Sequence, residues 1–262
     1  MSKYSLSDIK SSFAQKRDWD RQYPVSYFIF RPLSFYITFI ALKVTQSPSK
    51  VAFIGFTIGL LGNISFLFSD RFGILPGILL LMLCALSDAV DGNIARTTKN
   101  VTYYGKYLDS VLGAVAEGIF PFMLGLGLYY FYDTSIYLNP FGLFETDLRF
   151  LMLICGAVIM TGIIYSTRIG MTYDYQSIQK VKDTGMFKET LSNKIGTSTY
   201  SNNMLYLIFE NLNAFNFQLV ALLIFYSSGM IDVFMLLFAC YYILRFLIHS
   251  IYYTVKAGHE LK

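Results

Sequence analysis

Long apolar blocks dominate the chain, separated by shorter polar ones. Six of them, at approximately 50–69, 73–95, 105–131, 149–172, 205–228 and 231–254, reach the roughly 20 residues a helix needs to cross about 30 Å of hydrocarbon. An earlier stretch at 24–45, YPVSYFIFRPLSFYITFIALKV, carries Arg31, Pro32 and Lys43 among many tyrosines and phenylalanines. It reads as a helix lying along the membrane surface rather than as a seventh span. The longest polar stretch, 174–204, is expected to hold a short cytoplasmic helix. No internal repeat is seen, and nothing marks a second folding unit. The predicted layout is an N-terminal arm with a juxtamembrane helix at 1–49, then a six-helix transmembrane domain at 50–262.

Composition agrees with lipid as the solvent. Of the 262 residues, 55% are hydrophobic and only 15% are charged, against about 25% charged in soluble domains. The net charge of +4 could suggest a nucleic-acid partner, but its distribution gives another reason. With the N-terminus in the cytoplasm, six spans leave only Arg71 and Arg149 in outer loops, and the loop at 132–148 carries Asp133, Glu145 and Asp147. The other lysines and arginines outside the six spans fall on the inner side, as the positive-inside rule requires. Both termini are therefore expected in the cytoplasm, and no nucleic-acid partner is needed. The first 22 residues are polar and charged, so no cleavable signal peptide is expected. Cys84, Cys155 and Cys240 sit in apolar runs and read as inert core thiols, without disulfide or metal.

The informative segment is SDAVDGNIARTTKNVTYYGKYLDS, residues 87–110. Three aspartates lie at the predicted inner ends of two successive apolar helices. Asp88 and Asp91, three apart, share a helix face. Asp109 opens the next helix across a short loop, so the three carboxylates can converge. Carboxylates at membrane depth are costly without a partner, and converging ones need a cation. Oxygen-only ligands point to Mg²⁺, Mn²⁺ or Ca²⁺ and not to zinc. The small residues Gly92, Ala95 and Gly105 leave room for close packing or a flat ligand, and Arg96 can face a phosphate. Together these parts suit a metal-bound diphosphate.

The segment resembles the signature of the CDP-alcohol phosphotransferase (CDP-alcohol phosphatidyltransferase) family, D-x2-D-G-x2-A-R-x8-G-x3-D-x3-D. Asp88, Asp91, Gly92, Ala95, Arg96, Gly105 and Asp109 fall in register without a gap. SPSKVAF at 47–53 is similar to the family's Pro-Asn-x-(Val/Ile)-Thr start of the first span, with departures at Ser49 and at Ala52 or Phe53. The resemblance covers roughly residues 24–256 and implies an all-α integral membrane fold of six spans with an N-terminal juxtamembrane amphipathic helix. It implies transfer of a phospho-alcohol group from a CDP-alcohol to an acceptor alcohol or phosphorylated acceptor, with release of CMP, in phospholipid biosynthesis. It further implies two Mg²⁺ (or Mn²⁺) ions held by Asp88, Asp91 and Asp109. Gly92, Ala95 and Gly105 would lie beside the nucleotide, Arg96 near the diphosphate, and the site would face the cytoplasm. Membrane lipids are expected partners, and members of the family are often homodimers.

One position departs. The family's fourth aspartate, its proposed general base, corresponds to Gly113. Three accounts stand open: Glu117, one turn on, leans back and substitutes as base; the acceptor attacks already ionised, as a phosphate; or the chain is a non-catalytic CDP-alcohol-binding relative. Transfer of a sugar-alcohol phosphate in surface glycan or solute synthesis is a further alternative. A transporter is the competing class, without an inverted repeat or broken-helix pair to support it. Lys50 and Arg168 are candidate ligands for the acceptor or a phosphate, although Arg168 also fits a snorkelling anchor. Glu210 is an intramembrane acid of open role. His249 and His259 read as interfacial or tail residues, and Trp19 as part of an interfacial belt.

Overall fold

The structure, a computed structural model, describes residues 4–68, 71–131, 133–183 and 203–261, and among these every regular element is helical. The arm begins with α1 (Leu6–Ser12), started by a reciprocal cap in which Ser5 and Asp8 satisfy each other's backbone N–H groups. The single turn α2 (Arg17–Asp20) follows. A wide helical turn at Ser26–Phe30 then leads into α3 (Arg31–Ala41). Ser34 and Thr38 on α3 are fully buried, while Leu33, Tyr36 and Ile40 are exposed. The polar face therefore points into the protein and the apolar face outward, as a helix lying in the interface requires.

Pro48 opens α4 (Pro48–Ser65) at a position where its missing N–H costs nothing. Then come α5 (Arg71–Thr97), α6 (Tyr103–Tyr130), α7 (Glu145–Asp183), α8 (Met204–Asn213), α9 (Phe215–Ser227) and α10 (Ile231–Glu260). Five of these helices are long and apolar enough to cross a membrane, and the pair α8 and α9, bent by 73°, supplies a sixth span if it counts as one. With these helices the chain is an integral membrane protein.

Two expectations change. The predicted span at 205–228 is not continuous, because α8 and α9 meet at Ala214 in an extended conformation. Carbonyls freed by such a break must be satisfied inside a bilayer. The Gln218 amide does this, donating to the Leu212 and Asn213 carbonyls at 3.1 and 3.2 Å. The fourth span is also longer than 149–172, since α7 runs from Glu145 to Asp183. The first part of the stretch expected to hold a separate short helix instead continues α7, and 184–202 lie outside the described residues.

Packing is led by α4, which lies against both α5 and α6, while α5 and α6 touch each other only over a short length. Small residues allow this. A Cβ at Gly59 would sit 2.7 Å from Cys84 Sγ on α5. Asn63, fully enclosed, donates to the Ala116 carbonyl of α6 at 3.1 Å. On the other flank a Cβ at Gly125 of α6 would lie 2.7 Å from the Met152 carbonyl of α7, so these two backbones touch, as small residues permit in membranes. Asp232, at the start of α10 and fully buried, accepts from the backbone N–H groups of Leu138 and Asn139 at 3.1 and 2.7 Å. It thereby anchors the loop before α7 through charge-assisted backbone hydrogen bonds.

Candidate active site

The motif residues end one helix and begin the next. After Arg96, Lys99 takes a left-handed conformation (φ 57°) and Asn100 N–H bonds back to the Ala95 carbonyl at 2.9 Å. This closes α5. Thr102 caps α6, its side chain accepting from Gly105 N–H at 2.9 Å. The connection is tight enough to bring Asp109 back beside Asp88 and Asp91. One oxygen from each of the three carboxylates lies within 4.8 Å of the others. Asp91 is buried, whereas Asp88 and Asp109 open onto cavities. Among the described residues, no lysine or arginine forms an ion pair with any of them. Three converging, uncompensated oxygen ligands fit a hard divalent cation.

Two cavities of about 340 Å³ flank the cluster. The first is lined by Asp91, Gly92, Ala95, Arg96, Gly105 and Asp109, with Ser47, Ser49, Asn100 and Thr102 from neighbouring turns. The motif's small residues thus shape one polar hollow. A Cβ on Gly92 would come within 3.3 Å of the Arg96 guanidinium, so glycine lets Arg96 fold over its own helix. The second cavity lies toward the N-terminal arm and the α8–α9 break, and touches Asp88 and Glu117. A small hollow of about 30 Å³ shares walls with both, lined by Asp88, Asp91, Asp109, Gly113 and Glu117.

Gly113 leaves space that Glu117 turns toward. A Cβ built on Gly113 would lie 3.9 Å from Glu117 Oε1, and Glu117 reaches both the small hollow and the second cavity. Lys50 and Arg168, the other candidates from the sequence, are exposed and line neither cavity. Glu210 is paired with Arg245 at 3.0 Å.

With this geometry, comparison with known proteins has a clear outcome. The model of the CDP-alcohol phosphatidyltransferase family matches residues 45–231. The chain belongs to this family. It is similar to the archaetidylinositol phosphate synthase of Pyrococcus horikoshii, with 33% identity over 117 residues, or 45% of this chain. The match spans about half of that relative, 52% of its length. The family uses a CDP-alcohol donor and an alcohol acceptor.

Several residues around this family member's site carry no signal in the sequence. Asn93 sits between Gly92 and Arg96 and is fully buried. Its amide donates to Ser34 Oγ at 3.0 Å and Thr38 Oγ1 at 3.3 Å, and its oxygen accepts from Arg96 Nη2 at 2.8 Å. The juxtamembrane helix thus sets the direction of the motif arginine. Phe13 adds to this, its ring centroid 4.4 Å from the guanidinium carbon of Arg31 and 5.7 Å from that of Arg96. Arg31 in turn makes two bonds to buried Asp20, at 2.7 and 3.1 Å. Asn93→Leu removes a buried partner of Arg96, a loss worth about 1–3 kcal/mol. Its expected result is a rise of about tenfold in donor KM with a smaller change in kcat, read by CMP release across donor concentrations.

Proposed function

We propose that this chain transfers a phospho-alcohol group from a CDP-alcohol to the hydroxyl of a second alcohol, releasing CMP, as a step of phospholipid synthesis at the membrane. The observation that carries the reading is the trio of carboxylates within 4.8 Å of one another, set between two polar cavities that can take a donor and an acceptor. In this proposal the nucleotide occupies the first cavity, with Gly92, Ala95 and Gly105 allowing its close approach and Arg96 facing the diphosphate. Asp88, Asp91 and Asp109 would hold Mg²⁺ or Mn²⁺, two ions in all. Bound there, the ions would offset the carboxylate charge and polarise the diphosphate oxygens.

The acceptor oxygen forms a bond to the phosphorus that carries the alcohol, and the bond from that phosphorus to the oxygen bridging it to CMP breaks. Glu117 Oε receives the acceptor's hydroxyl proton, since it borders both the small hollow and the second cavity. The enclosing helices hold donor and acceptor in line, and much of the rate comes from that placement. Gly113 favours one other reading, a relative that binds CDP-alcohol without turning it over. The deciding assay is CMP release by the purified full chain in detergent, with CDP-diacylglycerol and a panel of small alcohols. CMP formation that stops with EDTA and returns with Mg²⁺ is the expected result. Donor binding without CMP from any acceptor would replace transfer by the binding reading.

A further inference from the structure

The second cavity carries more information than its position. Besides Asp88 of α5 and Glu117 of α6, its wall draws on three further parts of the chain: Lys16, Trp19 and Asp20 from the arm, Ser26 and Arg31 at the start of the juxtamembrane helix, and Glu210, Asn213 and Asn216 around the α8–α9 break. Its charges are not all free. Asp20 is held by Arg31 at 2.7 Å, and Glu210 by Arg245 at 3.0 Å. That leaves one cation, Lys16, which has no carboxylate within 4.0 Å among the described residues. Its ammonium rests 4.9 Å from the centroid of the Trp19 ring, a contact that orients it but does not neutralise it. The uncompensated carboxylates of the same cavity, Asp88 and Glu117, belong to the reaction side.

The cavity is therefore polarised, with a fixed ammonium contributed by the arm and acids at the metal-type cluster. Neutral hydrogen-bonding groups, the Asn213 and Asn216 amides and the Ser26 hydroxyl, stand along its wall. Resting on the transfer reading above, we infer that this cavity binds the acceptor, and that Lys16 selects a small alcohol bearing an acidic group, phosphate or carboxylate. The hydroxyl would turn toward Asp88 and Glu117 and the acidic group toward Lys16. Like charge keeps the acidic group away from the carboxylates, so the same contact that binds the acceptor also orients it. Burial and the nearby Arg31 push the Lys16 ammonium below its ordinary range, and an anion beside it relieves both effects.

The test uses the purified full chain with CDP-diacylglycerol, Mg²⁺ and matched acceptors that differ in an acidic group: sn-glycerol 3-phosphate against glycerol, and L-serine against ethanolamine. Wild type is expected to prefer the acidic member of at least one pair, and which pair distinguishes phosphate from carboxylate. In Lys16→Met the ratio of kcat/KM between acidic and neutral members falls at least about tenfold, mainly through KM, and Lys16→Arg regains most of it. Equal preference in wild type, or a ratio that Lys16→Met leaves within about twofold, overturns the proposal. Binding of the same four compounds, followed by thermal shift without donor, separates the two readings. Tighter binding of an acidic probe that Lys16→Met weakens, with no CMP in any reaction, would keep the pocket and remove the transfer function. CMP release indifferent to Lys16 would do the reverse.

Discussion

Asp91→Asn is expected to lower metal-dependent CMP release by about a thousandfold, the upper range for removing one preorganised electrostatic group. The change is nearly isosteric, so packing around this buried side chain stays as it is. What goes is one of three carboxylates whose oxygens lie within 4.8 Å of one another. The same substitution has an opposite effect on stability without metal. Three like charges at this spacing repel, and no arginine or lysine among the described residues offsets them by an ion pair. In EDTA the variant should therefore melt higher than wild type. Excess Mg²⁺ should raise the wild-type melting temperature by mass action and leave the variant nearly unmoved. A wild type whose melting is indifferent to Mg²⁺, or a variant that keeps more than about a tenth of the turnover, would remove the metal assignment.

The second large effect concerns the missing aspartate. Glu117→Gln keeps shape and hydrogen bonding but cannot accept a proton, and an expected fall in kcat of about a hundredfold follows from losing general-base assistance. Adding Gly113→Asp to that variant should restore at least about tenfold, because residue 113 faces the same hollow and a Cβ there lies 3.9 Å from the Glu117 carboxylate. Both variants need the same check of folding, a melting temperature near that of wild type. Full turnover by Glu117→Gln at every pH would remove Glu117 as the base. A rescue that fails while Glu117→Gln stays slow would place the function of Glu117 elsewhere than in taking the proton.

Much of this organisation was open to reading from the chain. The apolar runs at 50–69, 73–95, 105–131 and 231–254 correspond to α4, α5, α6 and α10, because hydrocarbon penalises any backbone that is not internally bonded and so ties apolar length to helix. The juxtamembrane helix was legible from its mixture of aromatic and basic residues. The lean of Glu117 toward Gly113 followed from helix geometry alone. The break at Ala214 was not read from the sequence: the junction has no proline or glycine, and its polar residues Glu210, Asn211, Asn213 and Asn216 sit in a stretch otherwise apolar enough to pass as one span. Its stability depends on Gln218 and on Tyr242, whose hydroxyl lies 2.6 Å from the Gln218 amide and which comes from another helix.

What the sequence by itself determined was the membrane class, the family and the convergence of three aspartates. Those rest on local spacing: the length of an apolar run, or aspartates at fixed intervals over one turn and one loop. Tertiary structure decided what surrounds the cluster. The insertion of α4 between α5 and α6 leaves hollows on two sides of the aspartates, and Asn93 finds Ser34, 59 residues away, to direct Arg96. Lys16 reaches the second cavity only because the arm folds back against α5. Such contacts follow from burial of side chains far apart in the chain, and neither period nor motif encodes them.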